Sequence, residues 1–89
     1  MKKLDLGFRA KKFLEALPAK QFRQIANKIF SLLENPEPPD SRALQGSHWR
    51  RADIGEYRII YRVQASTLQV HLIGKCNDDE VYRRLRRQP

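Results

Sequence analysis

The stretch WRRADIGEYRIIYRVQASTLQVHLIG, residues 49–74, decides the fold, because its aromatic and β-branched residues recur with the period of two that a β-strand requires. A turn signal at Gly55 divides the stretch once, and QAST, residues 64–67, divides it again. Between these turns, the odd-numbered residues 57 to 63 point to one side and the even-numbered residues 58 to 62 to the other. The stretch therefore predicts three consecutive antiparallel strands, the last of them at residues 68–74.

Two amphipathic helices are predicted before these strands. In FRAKKFLEAL, residues 8–17, the apolar residues fall at i, i+3, i+4 and i+7 and form one stripe. Pro18 ends this helix and suits the first turn of the next, which runs from residue 19 to about residue 34 with a similar stripe. We expect an antiparallel helical hairpin. The two stripes consist of Ala10, Phe13, Leu14 and Leu17, and of Phe22, Ile25, Ala26, Ile29, Leu32 and Leu33.

The rest of the chain completes an α+β fold. KKLDL, residues 2–6, is predicted to be a short edge strand, and the proline-rich segment 35–48 a long loop, which in a small domain is often functional. DDEVYRRLRRQ, residues 78–88, is predicted to be a short, basic C-terminal helix. The expected architecture is an N-terminal strand and a helical hairpin packed on one face of a mainly antiparallel twisted sheet, followed by that helix.

The alternation also predicts which side chains avoid the helical hairpin. If Tyr57, Ile59 and Tyr61 face the core, the residues between them occupy the uncovered face of the sheet. In the preceding strand, Ala52 and Ile54 then face the core, which leaves the residues beside them on the uncovered face. We expect arginines to cluster there. The residues assigned to this face are Arg51, Asp53, Arg58, Ile60 and Arg62.

Composition narrows the functional classes. The 89 residues fit a single domain, 1–89, and the net charge of +8 attracts polyanions or an acidic partner. No apolar stretch approaches the ~20 residues needed to span a membrane, and the charged N-terminus lacks the apolar segment of a signal peptide. One cysteine cannot form an internal disulfide, and with two histidines it does not make a standard zinc cluster. We therefore expect a cytoplasmic protein without a membrane partner.

Four short motifs, in this order and in this pattern of elements, resemble the RelE/ParE superfamily of bacterial type II toxins. They are NP at 35–36, LQG at 44–46, IGEYRIIYRV at 54–63 and IGKCNDDEVY at 73–82. The resemblance covers nearly the whole chain. The last motif is more similar to the mRNA-cleaving RelE branch than to the gyrase-poisoning ParE branch.

The resemblance implies a fold related to microbial ribonucleases and a ribosome-dependent endoribonuclease that inhibits translation. The chemistry implied is attack of a ribose 2′-OH on the neighbouring phosphorus, without a metal or other cofactor. This step needs a base, an acid and positive charge on the phosphorane. The implied partners are a cognate antitoxin, the ribosome and mRNA, and the toxin–antitoxin complex is a candidate for binding its own operator DNA.

The resemblance also assigns candidate catalytic residues. Arg58 matches the strand arginine expected to stabilise the transition state, and Tyr82 matches a tyrosine that stacks on a base or assists proton transfer. Arg51 stands where the preceding strand usually carries a basic residue, and Lys75 matches the lysine of the GK motif. Further candidates for holding RNA are Trp49, Arg50, Arg62 and Arg83.

The chain departs from the family pattern at Cys76, where the family commonly has a phosphate-stabilising arginine, and at Asp53, where a basic residue is frequent. Asp53 is expected to pair with Arg51 or Arg58 and to reduce the positive field. Three explanations stay open for Cys76: an attenuated nuclease in which Lys75 or Arg83 compensates, a different arrangement of the chemistry, or a substitution that makes the toxin tolerable. A gyrase inhibitor and a degenerate toxin that only binds its antitoxin are the alternative functions.

Several of these residues also have ordinary structural interpretations. A histidine in a strand, such as His71, or in a loop, such as His48, is more often structural than catalytic. Trp49 at the start of a strand more often packs at the rim of the core than stacks on a base. Cys76 is expected to be an inert thiol, since no histidine lies near it in the sequence to lower its pKa.

Overall fold

The computed structural model describes residues 2–76. Two helices and five strands follow one another along this part of the chain, and the helices lie between the first and second strands. This confirms the predicted α+β class. The elements are β1 (Lys3–Leu6), α1 (Phe8–Glu15), α2 (Ala19–Glu34), β2 (Ser41–Ala43), β3 (Arg50–Ile54), β4 (Tyr57–Gln64) and β5 (Thr67–Lys75). The predicted C-terminal helix lies outside the described residues.

The strands form one sheet in the order β1-β5-β4-β3-β2. Strands β2 to β5 pair antiparallel with their neighbours, whereas β1 pairs parallel with β5 at the edge, as expected for a mainly antiparallel sheet. The strand β2 was not predicted. It has only three residues, inside the proline-rich segment, and a strand of three residues is too short to show an alternation of apolar and polar side chains.

The predicted helical hairpin is confirmed: α2 has the predicted boundaries, whereas α1 ends at Glu15, two residues before the predicted end. The side chains of Ala10 and Leu14 in α1, and of Ile25 and Ile29 in α2, are buried against the sheet. Phe22 differs from the prediction, because 43% of it is exposed at the flank of the hairpin. The sheet face under the hairpin carries the main core, which includes Ala52, Tyr57, Ile59, Tyr61, Leu68, Val70 and Ile73.

Two tight turns set the register of the central strands. Gly55 has φ +57° in the turn between β3 and β4, a conformation that favours glycine. Between β4 and β5, Ala65 and Ser66 have φ values of 52° and 61°. Positive φ at both central residues is the pattern of a type I′ hairpin turn, which is usually filled by Asn and Gly. This turn is therefore strained by its sequence.

Strand β5 contains one irregularity opposite β4. Ile60 pairs with Leu72 while Tyr61 pairs with Val70, so His71 is an extra residue in β5. Such a β-bulge reverses the alternation of the side chains that follow it. Val70 before the bulge and Ile73 after it both lie in the main core. The bulge explains why adjacent apolar residues, Leu72 and Ile73, occur in this strand.

The loop after α2 is tied to the sheet by a buried tyrosine. The hydroxyl of Tyr61, whose residue is completely buried, donates a hydrogen bond of 2.6 Å to the carbonyl oxygen of Pro36. A buried hydroxyl needs such an acceptor. The loop is thereby held against β4. No helix within residues 2–76 is both long enough and apolar enough to cross a membrane.

Candidate active site

The sheet face opposite the hairpin, called here the second face, carries the polar side chains of β3 and β4. Asp53 pairs in register with Arg58, and Arg51 pairs with Ile60. Directly opposed residues point to the same side of a sheet. The predicted location of Arg51, Asp53 and Arg58 on one face therefore agrees with the register of the strands.

Asp53 and Arg58 form a bidentate ion pair. The Nε and Nη2 atoms of Arg58 donate hydrogen bonds of 2.7 and 3.0 Å to the two carboxylate oxygens of Asp53. The arginine side chain is only 14% exposed, whereas the aspartate side chain is 43% exposed. The carboxylate is therefore the outward member of the pair, and the guanidinium lies beneath it.

The pair shifts the titration of its carboxyl group. The hydrogen bonds from Arg58 lower the pKa of Asp53, partial burial opposes this change, and the positive charges of Arg58 and Arg51 add to the lowering. Asp53 is thus an anion at every pH at which the protein would work. The ion pair also offsets the charge of Arg58, as the sequence led us to expect for one of the two arginines.

Cys76 lies beside this pair, at the end of β5. Its backbone N–H donates to the carbonyl oxygen of Glu56 at 2.8 Å, and its Sγ lies 3.2 Å from the carbonyl oxygen of Tyr57. Burial raises the pKa of the Cys76 thiol, and the negative charge of Asp53 raises it further. The thiol therefore stays protonated at neutral pH, and its single proton serves either the Tyr57 carbonyl or the Asp53 carboxylate at a given time. The two departures from the family pattern are thus neighbours in space.

Arg42 adds a basic residue that the sequence analysis did not find. It lies in β2 and pairs with Arg51, so both side chains leave the second face next to each other. Arg42 is exposed and Arg51 is half-buried. The signal was hidden because β2 is too short to be recognised, and without that strand Arg42 has no assigned side.

The centre of the second face is not open, which corrects the expectation for Ile60. Ile60 and Leu72 have exposures of 0% and 2%, and Leu44 and Trp49 pack against them. The face was predicted to be uncovered because the main core accounts for only one side of each strand. The adjacent apolar residues Ile59 and Ile60 signal instead a strand that is buried on both sides. The arginines therefore surround a small apolar cluster.

Trp49 links this cluster to the far end of the second face. Its ring stacks on the ring of His71 with a centroid distance of 4.7 Å and an interplanar angle of 17°. The Cζ atom of Arg62 lies 4.4 Å from the Trp49 ring centre, and Arg62 Nε donates to Gln69 Oε1 at 2.6 Å. A cleft of about 440 Å³ adjoins Trp49 and Arg62 and is also lined by His48. Its aromatic and basic lining is the kind of surface that nucleic acid contacts.

Comparison with known proteins identifies the family. The family model described as "ParE toxin of type II toxin-antitoxin system, parDE" matches residues 8–80, which is most of the chain. The chain is a member of the RelE/ParE superfamily of type II toxins. A comparison with curated protein sequences gives no significant match.

Solved RelE structures share the fold of this toxin. The isolated Escherichia coli RelE toxin is 24% identical, with a TM-score of 0.76 over 96% of this chain and 95% of that chain. The toxin in the intact E. coli RelBE complex is 24% identical, with a TM-score of 0.75 over 88% of this chain and 100% of that chain. The archaeal RelE–RelB complex from Pyrococcus horikoshii is 23% identical, with a TM-score of 0.75 over 85% of this chain and 96% of that chain.

Two of the residues assigned from the RelE/ParE resemblance do not share the second face. Lys75 pairs with Tyr57 and Arg50 pairs with Tyr61, so both basic side chains leave the sheet on the hairpin side. Arg50 Nη2 donates to Ser41 Oγ at 2.8 Å, which anchors it beside β2. The bulge reverses the alternation of β5 before residue 75 is reached, so Lys75 leaves the sheet on the face opposite to Arg58, and its catalytic role stays a prediction.

The remaining assignments to this RelE/ParE toxin concern its C-terminus. Tyr82 and Arg83 lie outside the described residues. Within residues 2–76, no group of three or more His, Cys, Asp or Glu side chains is placed to hold a metal ion. The second face thus offers a carboxylate, a thiol and arginines as its chemical groups.

Proposed function

We propose that this toxin is a ribosome-dependent mRNA endoribonuclease of the RelE type. The observation that supports this most strongly is the set of arginines on three adjacent strands of the second face: Arg42 in β2, Arg51 in β3 and Arg58 in β4. Phosphodiester cleavage by the ribose 2′-OH builds up negative charge on phosphorus, and a surface of this kind stabilises it. A net charge of +8 also favours approach to RNA.

The roles proposed for the described residues are supported by their places in the sheet. Arg42 and Arg51 contact the phosphate, because their side chains lie next to each other on the second face and Arg42 is exposed. Arg58 supplies positive charge from beneath. Tyr82 is proposed to act at the leaving 5′-oxygen or to stack on a base, as the family resemblance implies. Lys75 lies on the hairpin side, so its proposed role is the electrostatic attraction of RNA at longer range.

We further propose that the nuclease is attenuated. Where the family commonly has an arginine, the thiol of Cys76 gives no positive charge, and the loss of one such donor costs ~10²–10³ in rate at comparable sites. The Asp53 carboxylate also offsets part of the charge of Arg58, at hydrogen-bond distances of 2.7 and 3.0 Å. Both effects weaken the field that the phosphorane would meet.

The proposed partners are a cognate antitoxin, the ribosome and mRNA. RelE proteins of the same fold are known in complexes with RelB antitoxins. An acidic antitoxin that folds on binding suits a toxin with a net charge of +8, and the toxin–antitoxin complex is a candidate for binding operator DNA. A ribosomal target implies action in the cytoplasm.

The proposal is tested by mapping mRNA cleavage in a translating extract. The toxin should cut translated mRNA and leave the same RNA intact without ribosomes. Arg58→Ala should reduce cleavage by ~10²–10³. Arg23→Ala, which removes an exposed arginine from α2, is the matched control and should cut at the unchanged rate. Equal cleavage by the Arg58→Ala and unmodified chains would refute the assigned role of Arg58.

Inhibition of DNA gyrase is a second candidate, because the matching family model describes ParE toxins. A supercoiling assay with purified gyrase separates the two functions: inhibition without any mRNA cleavage would replace the nuclease proposal. Cys76→Arg distinguishes a disabled toxin from the rest. A gain in toxicity after this substitution would indicate a site weakened by the cysteine, and no gain would indicate chemistry that is arranged differently.

A further inference from the structure

We infer that Asp53 is the general base of the cleavage reaction, with the paired Arg58 fixing its orientation. The inference rests on the proposed endoribonuclease function and names a residue for the proton transfer that this function requires. It assigns a positive role to a residue that otherwise only offsets the charge of Arg58.

The first argument concerns which described groups near Arg58 can accept a proton. Burial and the charge of Asp53 keep Cys76 in its thiol form. His71 stacks on Trp49 at the bulge, which lies opposite the middle of β4 and not opposite Arg58. Asp53 is an anion, its side chain is 43% exposed, and it lies directly against the guanidinium of Arg58. Among these groups, only the carboxylate combines charge, access and position.

The second argument is geometric. A carboxylate offers about four acceptor positions. The bidentate pair with Arg58 uses two of them and the Cys76 thiol, when it donates to Asp53, uses a third, which leaves at least one for the ribose hydroxyl. The same pair holds the carboxylate plane in one orientation, which a general base needs if the hydroxyl is to approach along a lone pair. Since the carboxylate is the more exposed partner, its outer edge points away from Arg58 toward the second face. Arg51, which is half-buried on that face, then lies where a neighbouring phosphate would be held.

The proton and electron pairs balance without a further reagent. The ribose 2′-OH gives its proton to an Asp53 carboxylate oxygen as the 2′-oxygen forms a bond to phosphorus. The bond between phosphorus and the 5′-oxygen breaks, and this oxygen takes a proton from water. The hydroxide that remains takes the proton from Asp53, which restores the carboxylate. The products are a 2′,3′-cyclic phosphate and a free 5′-hydroxyl.

The charged and titratable groups around Asp53 predict the pH dependence of the reaction. Arg58 faces it from β4, Arg51 lies on its own strand β3, and Cys76 faces it from the end of β5. The two arginines keep the carboxylate ionised, so the cleavage rate should stay constant between about pH 5 and 8. A lysine base would instead give a rate that rises with pH toward its own pKa of about 10.4. A base with a low pKa is also a weak one, which fits a slow toxin.

The substitution Asp53→Asn tests the inference by the sign of its effect. If Asp53 is the base, single-turnover cleavage on programmed ribosomes should fall by ~10²–10⁴. If Asp53 only offsets the charge of Arg58, the same substitution removes that offset, and cleavage should become faster. Glu56→Gln, an exposed carboxylate in the adjacent turn, is the matched control and should cleave at the unchanged rate.

Two further measurements keep the result decisive. Asp53→Glu should recover part of the rate lost in Asp53→Asn, because it restores a carboxylate. If Asp53 only offsets the charge of Arg58, Asp53→Glu should instead cleave more slowly than Asp53→Asn. Thermal unfolding checks that Asp53→Asn is folded at the assay temperature. If the unmodified toxin cleaves no translated mRNA, the proposed function itself fails. If it cleaves and Asp53→Asn is as fast or faster, only the role of Asp53 is overturned.

Discussion

Ile59 and Ile60 are neighbours in β4, both are completely buried, and they belong to different clusters. Ile59 lies under the helical hairpin among many apolar side chains. Ile60 lies on the second face in a small cluster that arginines surround. The comparison shows that the sheet is stabilised on both sides, and that only one side combines its apolar residues with chemical groups. The hairpin side holds the fold, and the second face holds the candidate site.

The largest expected effect is a loss of stability caused by a substitution on the hairpin side. Ile59→Ala should lower the free energy of unfolding by about 3 kcal/mol, because it leaves a cavity in the main core. Urea unfolding monitored by circular dichroism measures this change. Arg51→Ala on the second face is the contrasting variant and should change the same quantity by less than about 0.5 kcal/mol while reducing cleavage. A similar loss of stability in both variants would contradict the division between the two faces.

A smaller loss is expected on the second face itself. Ile60→Ala should cost about 2 kcal/mol, since the cluster with Leu72 is smaller and its rim of Leu44 and Trp49 is partly exposed and able to close in. The same unfolding experiment applies. A cost below about 0.5 kcal/mol would mean that Ile60 is exposed in solution and that the apolar cluster does not cover the centre of the second face.

The strained turn between β4 and β5 belongs to neither face and offers a gain in stability. Replacing Ala65 by Asn and Ser66 by Gly should raise the free energy of unfolding by about 1 kcal/mol, because both positions have positive φ. Cleavage should be unchanged, since the turn lies at the end of the sheet opposite to Cys76. Thermal unfolding measures the gain, and a loss of stability would contradict the assigned turn. The stabilised chain would also tolerate the costlier substitutions.

The smallest effect is the pH dependence of the Asp53–Arg58 pair. In the folded state, the pKa of Asp53 is lowered. The ion pair therefore stabilises the protein fully above the ordinary pKa of an aspartate, ~3.9, and this stabilisation is lost as the pH falls through the folded-state pKa of Asp53. At pH 7, Asp53→Asn should be less stable than the unmodified chain by up to about 1 kcal/mol, because the carboxylate is partly exposed. The difference should shrink below about pH 4 in urea unfolding. A difference that is independent of pH would exclude the ion pair as its cause.

The two faces also differ in how far the sequence predicted them. The hairpin side was predicted well, because helix boundaries and the burial of Tyr57, Ile59 and Tyr61 depend on local spacing alone. The second face depends on register, which local spacing does not fix. Alternation placed Asp53 beside two arginines, but only the pairing across the turn at Gly55 selects Arg58 as its partner.

Two features of the strand register account for the largest differences between the predicted and the observed candidate site. The short strand β2 brings Arg42 next to Arg51, and its three residues carry no periodic signal. The bulge at His71 moves Lys75 to the hairpin side, although the paired apolar residues Leu72 and Ile73 were a visible sign of broken alternation. Two consecutive apolar residues within a predicted strand therefore indicate either that the sheet is buried on both sides or that the strand contains a bulge with an extra residue.

The number of residues in β5 determines which side chain at the end of the strand lies beside Asp53 and Arg58. Because His71 adds one residue, position 76 follows Gly74 on the side of Asp53 and Arg58, and position 75 does not. A chain lacking that one residue would present the ammonium group there and withdraw the thiol, with no substitution at either position. An insertion or deletion inside this strand thus alters the charge of the site as effectively as a mutation in it, and the alkylation rate of Cys76 in a chain without His71 would report the exchange.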